Sequence, residues 1–168
     1  MEQLSISRGA QVSDLSPLTA TTREETQRRV SSMRSAATDD WPTYLKISAP
    51  TSLQWIAAFD SYYDRDAVQK VVARSRPSNF SNDYVVLCCE LGAVLGEVLL
   101  QQNQRLQWLY DWPYWESAIF DPDTGFKVNV FHWAIKKMSD YGVADGLVAK
   151  IQACLQRIEK NSQKEKLT

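Results

Sequence analysis

The stretch that decides the fold is DYVVLCCELGAVLGEVLLQQ, residues 83–102. Its apolar residues cover most of the circumference of a helix, which is typical of a helix at the centre of a protein. Gly92 and Gly96 are four residues apart and therefore lie on one face of that helix. Each glycine in a helix interior costs about 1 kcal/mol relative to alanine. We therefore expect another element to pack closely against this face, with large aromatic rings in the space that the glycines leave.

Three acidic residues, Asp83, Glu90 and Glu97, recur every seven residues along the same helix. This spacing places them on one face, and we interpret them as the solvated stripe of an otherwise buried helix. Two alternatives stay open: paired carboxylates for acid–base chemistry, and an acidic groove for a basic partner surface. A metal ion shared between two of them is disfavoured because seven helical residues span about 10.5 Å.

Upstream of this helix, the pattern predicts two shorter helices and one extended segment. Residues 51–64 and 65–76 have helical periodicity, and the second segment is clearly amphipathic. Residues 41–50 are expected to be extended, because a proline closes them. Residues 1–40 are rich in polar side chains, and we interpret them as a flexible or helical N-terminal arm with a domain boundary near Asp40.

Downstream, the periodicity changes from helical to alternating, which predicts strands. The three predicted strands of an antiparallel meander are residues 105–111, 114–120 and 126–131. The sequence DPDTG, residues 121–125, predicts the turn before the third strand. A short helix with Gly142 as its C-cap, an amphipathic helix and a polar tail at 161–168 follow. The predicted fold class is α+β, with a central apolar helix and flanking helices packed on a three-stranded antiparallel β-meander in one domain, residues 41–160.

The composition of the 168-residue chain disfavours several classes of protein. A formal net charge of -1 gives no overall field that would attract nucleic acid or an anionic membrane. The sequence contains no apolar run long enough to predict a membrane span, and we expect no signal peptide. Three cysteines, two of them adjacent, do not make a disulfide framework. We expect buried free thiols and a cytoplasmic protein.

The sequence has no common catalytic, metal or cofactor motif. P-loop, GxGxxG and GxSxG patterns are missing. His132 is the only histidine, and without CxxC or HExxH it does not make a metal site. A base beside one of the cysteines would give a thiolate nucleophile, but no motif surrounds any of them. We therefore expect no catalysis, no cofactor and no metal, and we interpret His132 as a structural residue or a partner contact.

The stretch QWLYDWPYWESAIF, residues 107–120, holds six aromatic side chains. Alternation along the strands assigns about half of them to the core, against the glycine face of the central helix. Trp112 and Tyr114 lie in the turn between the first two strands, where burial is hardest. Exposed tryptophan and tyrosine dominate the energetics of protein interfaces. These two residues are therefore predicted to contact a partner.

The order of the parts resembles that of small bacterial α+β proteins of the toxin-immunity type. The matching features are LGAVLGEVL in the apolar helix, LQWLY in the first strand and GFKVNVFHWAIKKMS after the turn. The resemblance covers roughly residues 80–155, and it transfers no functional residue to this chain. It implies a cytoplasmic protein that binds and neutralises a cognate toxin without catalysis.

The leading hypothesis is a non-catalytic binding protein of the immunity type, which occludes its cognate toxin. The predicted partner-binding residues are Trp112, Tyr114, Asp111, Glu116, Glu90, Glu97 and His132. A second hypothesis is a small enzyme or ligand-binding domain with a helix–sheet cleft around His132 and Glu90 or Glu97. A third is a homo-oligomeric scaffold in which subunits exchange the N-terminal arm.

Overall fold

The computed structural model describes residues 20–45, 52–75 and 82–165, which form six α-helices and one three-stranded sheet. The helices are α1 (Ala20–Leu45), α2 (Leu53–Tyr62), α3 (Arg65–Arg74), α4 (Asp83–Gln102), α5 (Val130–Lys137) and α6 (Leu147–Glu165). The strands are β1 (Gln107–Leu109), β2 (Ala118–Phe120) and β3 (Lys127–Val128). Neighbouring strands pair antiparallel in the order β1-β2-β3. The predicted α+β class and its antiparallel meander are confirmed.

Helix α4 lies at the centre of the fold, as its apolar sequence predicts. Asn82 caps it, because its side-chain oxygen accepts a hydrogen bond from the backbone N–H of Val85 at 2.9 Å. Leu91, Leu95 and Leu99 are completely buried, and each contributes about 1.5–3 kcal/mol through the apolar area that it removes from water. Helices α1 and α5 pack along α4 on different faces.

The two glycines of α4 mark the face that receives aromatic rings. A Cβ atom at Gly92 would overlap the ring of Phe131 from α5, and one at Gly96 would overlap the ring of Trp108 from β1. The centroids of these two rings are 6.2 Å apart, so the rings lie side by side on the helix. The predicted close packing against the glycines is confirmed, and its partners are both a helix and a strand.

Helix α1 is longer than the sequence predicts. It continues through Pro42 and ends at Leu45, so the extended conformation predicted for residues 41–45 is wrong. Residues 46–50 of that predicted segment, and residues 1–19 of the predicted arm, lie outside the described residues. The boundary predicted near Asp40 falls inside this helix.

Packing around Trp41 explains why the helix tolerates Pro42. A proline inside a helix costs about 3 kcal/mol or more, because it removes a backbone hydrogen bond and crowds the preceding turn. Trp41 is completely buried, and its ring centroid lies 4.9 Å from those of both Trp55 and Phe59 of α2. The free energy that burial of a tryptophan contributes is enough to offset most of this cost. The contact could not be predicted from residues 41–50 alone, because its partners lie outside that segment.

The sheet is shorter than predicted, because helical turns replace the ends of two predicted strands. Residues 114–116 form a 3-10 turn, and β2 begins only at Ala118. Strand β3 ends at Val128, because Asn129 caps α5 by accepting a hydrogen bond from the N–H of His132 at 2.9 Å. Residues 130–131, which were predicted to be strand, therefore begin a helix.

The DPDTG turn between β2 and β3 is confirmed. The carboxylate of Asp121 is completely buried and accepts hydrogen bonds from Asp123 N at 3.2 Å and Thr124 Oγ1 at 2.9 Å. Gly125 has a φ of 68°, a left-handed conformation that glycine adopts without strain. This turn fixes the register in which Phe120 pairs with Lys127.

Gly142 does not cap α5, contrary to the sequence prediction. The helix ends at Lys137 with Met138 as its C-cap. Gly142 is buried, and a Cβ there would overlap the carbonyl oxygen of Lys136. Glycine is needed at this position for a close backbone approach rather than for a left-handed cap.

A buried ion pair joins α2, α5 and the start of α6. Lys137 Nζ lies 2.9 Å from Asp60 Oδ1 and donates a hydrogen bond to the Val143 carbonyl at 2.7 Å. The second oxygen of Asp60 accepts from the N–H of Leu147 at 2.8 Å. The predicted apolar stripe of α6 is buried; its buried members are Leu147, Ile151, Cys154 and Ile158. Helix α6 includes residues 161–165 of the predicted tail, and 166–168 lie outside the described residues.

Candidate partner-binding site

The connection between β1 and β2, residues 110–117, is called the Trp112 loop below. The side chain of Trp112 is 40% exposed, and no other tryptophan among the described residues is classed as exposed. At the base of the loop, Asp111 N donates to Ser117 Oγ at 3.0 Å, and that hydroxyl is 3.3 Å from the Asp111 carbonyl. Asp111 Oδ1 accepts from Trp112 N at 2.8 Å. These bonds hold the loop in one conformation.

Two further contacts attach the Trp112 loop to the helices beside it. Asn129, the cap of α5, donates its side-chain amide to the Trp115 carbonyl at 3.2 Å. On the other side, the guanidinium carbon of Arg29 in α1 lies 5.9 Å from the centre of the Trp112 ring. Glu25 holds Arg29 in place, with Oε1 accepting from Nε at 2.9 Å. The Trp112 ring is therefore held in one orientation by Arg29.

Tyr114 lies on the inner side of the loop, unlike the exposed position that the sequence suggests. It is half-buried, with its ring 5.0 Å from that of Trp115 and 6.1 Å from that of Phe131. Its hydroxyl is 3.4 Å from Cys89 Sγ. Burial raises the pKa of Tyr114 well above its usual value. Tyr114 therefore supports the loop from below, whereas Trp112 faces outward.

His132 and Glu116 come together at the edge of the loop. His132 Nε2 lies 3.5 Å from Glu116 Oε2, and about a third of each side chain is exposed, 35% and 30% respectively. The sequence did not predict this pair, because the two residues belong to different elements. The Nε2 atom of His132 is itself buried, so it is the partly exposed Glu116 carboxylate that presents a hydrogen-bond acceptor here.

The acidic stripe predicted along α4 is wrong at Glu90. This carboxyl is only 4% exposed and accepts a hydrogen bond from Trp41 Nε1 at 2.8 Å. Burial raises its pKa, and the negative charge of Asp40 raises it further. Glu97 differs, because it is partly exposed and pairs with Arg34 of α1 at 2.8 Å.

The predicted site residues thus fall into two groups. The first shares the Trp112 loop and the start of α5; its members are Asp111, Trp112, Tyr114, Glu116 and His132. Glu90 and Glu97 form the second group and face α1. Within the described part of the chain, the carboxylate within ion-pair distance of His132 is that of Glu116. Glu90 is bonded to Trp41 and Glu97 is paired with Arg34, whereas His132 lies beside Glu116.

The three cysteines are free, and their chemistry is that of buried thiols. Burial raises the pKa of Cys88 and Cys89 above the usual value and that of Cys154 to about 11. A thiol with a raised pKa stays protonated at neutral pH and is a poor nucleophile. The predicted free thiols are confirmed, although Cys89 is only half-buried by its exposed area.

Two residues that contact the Trp112 loop were not predicted from the sequence. Asn129 carried a usable signal, because asparagine is a preferred N-cap and stands just before the apolar start of α5. Arg29 carried none, because its contact with Trp112 joins residues far apart in the chain.

Comparisons with protein-family models, curated proteins and solved structures found no match for the chain. In the described ranges, no group of three or more His, Cys, Asp or Glu side chains is placed to hold a metal ion. The helices described in residues 20–45, 52–75 and 82–165 all lack the combination of length and apolar character that crossing a bilayer requires.

Proposed function

We propose that this chain is a non-catalytic binding protein of the immunity type, which occludes a cognate toxin with the Trp112 loop. The observation that carries the proposal is Trp112 itself: an exposed indole on a loop that is fixed at its base and supported by Arg29. Exposed tryptophan and arginine are the residues most enriched among interface hot spots.

The fixed conformation of the loop supports a role in tight binding. Ordering a loop on association costs about 0.5–1.5 kcal/mol for each side chain that becomes immobile. Here the hydrogen bonds of Asp111 and Ser117, and that of Asn129, order the loop in the free protein. The partner therefore does not have to supply that free energy.

The charges around Trp112 indicate the kind of surface that it contacts. Asp111 lies directly before the ring, and Glu116 lies beside His132 at the same end of the fold. Carboxylates at the rim of an interface raise the association rate with a basic surface. We propose a toxin whose contact surface is basic, and a site of action in the cytoplasm.

The enzyme alternative has weaker support. The His132–Glu116 pair is half-exposed and resembles the base of a catalytic group. A base needs a nucleophile or a bound water to act on, and the buried thiols keep their protons at neutral pH. If the His132–Glu116 pair only contacts a partner protein, it needs neither a nucleophile nor a bound water beside it.

The test is binding and toxicity rescue with the product of the neighbouring gene as the candidate toxin. We expect Trp112→Ala to weaken the complex about 30-fold or more, as loss of a hot spot does, and to abolish rescue. Tyr141→Ala is the matched control, because Tyr141 is also an exposed aromatic residue, 75% exposed, with Lys136 6.0 Å from its ring centre. Wild-type affinity and rescue in Trp112→Ala would contradict the proposal.

A homo-oligomer joined by the Trp112 loop, which differs from the scaffold with exchanged N-terminal arms, makes a different prediction for the free protein. If the Trp112 loop joins copies of this chain, light scattering will show an oligomer for wild type and a smaller species for Trp112→Ala. If the loop serves a different protein, the two will have the same mass in solution.

A further inference from the structure

A groove between α1 and α4, called the α1–α4 groove below, lies open along the face of α4 that carries Val86 and Glu90. Its first part, about 320 Å³, is lined mainly by apolar atoms, including those of Met33, Ala36 and Val86, and Tyr114 lines it as well. Its second part, about 400 Å³, continues from Val86 and Glu90, which line both parts. Val86 is 39% exposed, although it belongs to the central helix of the fold.

The second part of the groove combines aromatic rings with negative charge. Tyr62 and Tyr63 form one wall, with ring centroids 4.9 Å apart, and Tyr62 is 49% exposed. Asp40, Asp83 and Glu90 line the same part, as does Arg74, which is paired with Asp83. A tyrosine face attracts a cation within about 6 Å of its centre. The lining therefore favours a ligand with a positive charge and an apolar stem.

Glu90 is the most informative group in this groove. It is nearly completely buried, and burial of a carboxylate is costly unless a cation or several donors compensate. Trp41 supplies one hydrogen bond, whereas the nearby charge that acts on Glu90 is the negative one of Asp40. Among the described residues, no Lys, Arg or His nitrogen forms a salt bridge with it. By contrast, Asp83 at the groove rim is paired with Arg74 at 2.6 Å.

We propose that the α1–α4 groove receives a lysine or arginine side chain, carried on an apolar segment of the partner protein, with Glu90 as its counter-ion. This inference rests on the proposed function, because it names the chemistry of a segment that the partner inserts. The apolar first part of the groove accepts the segment, and its charged group reaches Glu90 between Val86 and Tyr63.

The groove is placed to act together with the Trp112 loop. Tyr114 lines the first part of the groove, and it is two residues from Trp112 in the same loop. A partner that covers Trp112 therefore also reaches the groove. The two contacts are chemically different, since one uses an exposed indole and the other a desolvated ion pair.

The first test uses a defined probe and the full chain. The acetylated, amidated tripeptide Leu-Arg-Leu is titrated into the ¹⁵N-labelled protein, alongside its citrulline analogue, which has the same shape without the charge. We expect amide shifts at Ala36 and Val86 with the arginine peptide, and at least about tenfold weaker binding of the citrulline peptide. Equal binding of the two peptides, or no shifts in the groove, would overturn the inference.

Two variants of α4 locate the charge that matters. Glu90→Gln keeps an oxygen that accepts from Trp41, so the fold is retained, and we expect it to weaken arginine-peptide binding about tenfold or more. Glu97→Gln is the matched control, because Glu97 is seven residues farther along and already pairs with Arg34. Equal loss in both variants, or in neither, contradicts the assignment to Glu90.

The same variants separate this inference from the proposed function. If the neighbouring gene product binds wild type and Trp112→Ala weakens it while Glu90→Gln does not, the groove inference fails and the proposed function stands. If that product does not bind but the peptide results hold, the proposed function fails and the groove remains a site for basic segments. A wild-type dimer that Glu90→Gln dissociates would assign the groove to a second copy of this chain and overturn the partner assignment.

Discussion

Two faces of α4 differ in how they are packed: one is covered by aromatic rings, and the other borders an open groove. On one side, Gly92 and Gly96 carry no side chains, and the rings of Phe131 and Trp108 occupy the space. On the other side, Val86 and Glu90 carry side chains, and the neighbouring helix leaves a groove above them. The closed side holds the sheet and α5 in place, whereas the open side is where we propose that a partner segment docks.

The difference shows how a residue's size and charge decide whether a helix face closes. Aromatic rings can approach a glycine to van der Waals distance, and the resulting contact excludes water. A carboxylate keeps part of its preference for water even when it is buried, so the packing around Glu90 contributes less than that around Gly92. Variants on the two faces should therefore change different properties of the protein.

The largest expected effect is on the closed side, at Phe131. Phe131→Ala removes a ring that is 1% exposed, and we expect a loss of about 3–5 kcal/mol in the free energy of unfolding. Denaturant titration measures it. In the Phe131→Ala background, Gly92→Ala should become stabilising, because the ring that would overlap the new methyl group is gone. Destabilisation by Gly92→Ala in both backgrounds would mean that the ring is not what excludes a side chain.

The two glycines should differ from each other by a smaller amount. Gly92→Ala introduces a methyl group against the buried Phe131 ring, and we expect a loss of about 1–3 kcal/mol in spite of the better helix propensity. Gly96→Ala should cost less, because Trp108 is only half-buried and its ring is therefore less confined than that of Phe131. Thermal melts of the two variants test this order, and the reverse order would contradict the contrast in burial.

On the open side, the expected effect of Glu90→Gln depends on pH. Burial raises the pKa of Glu90, so the folded protein holds this proton at a pH where the unfolded chain, near the ordinary value of 4.5, has lost it. Through that window the wild type loses stability as the pH rises. The glutamine variant lacks this loss, so its stability relative to wild type should increase from pH 4 upward. Parallel curves of melting temperature against pH for the wild type and the glutamine variant would contradict this expectation.

The smallest effect is expected at Glu97. Its ion pair with Arg34 is partly exposed, with side-chain exposures of 22% and 39%, and such pairs contribute about 0–1 kcal/mol. Glu97→Gln should therefore lower stability by no more than about 1 kcal/mol in urea titrations. A larger loss would show that the contact between α1 and α4 at Glu97 is packed as tightly as the glycine face of α4.

Patterns within a short stretch of sequence were enough to predict the elements that interactions between nearby residues determine. The glycine spacing of α4, the DPDTG turn and the apolar stripe of α6 each lie within about 20 residues, and all three were predicted correctly. The α+β class follows from the order of these elements.

Contacts between distant residues explain the errors. Trp41 extends α1 beyond its predicted end by packing on Trp55 and Phe59, and it also buries Glu90, 49 residues away. A spacing of seven residues reports which side chains share a face, but it does not report which helix covers that face. For the same reason, the pairing of His132 with Glu116 was not predicted.

The partly buried carboxylate of Asp60 sets an order of events during synthesis. Its two partners, Lys137 Nζ and the N–H of Leu147, are made much later than Asp60, and Leu147 follows it by 87 residues. Until both partners have emerged from the ribosome, only water solvates the Asp60 carboxylate, and α2 lacks part of its final environment. Domains tend to fold as units while the chain is being made. Here the emergence of α6 is the step that completes this side of the core, so a ribosome stalled before residue 147 would carry a nascent chain with α2 still open to chaperones.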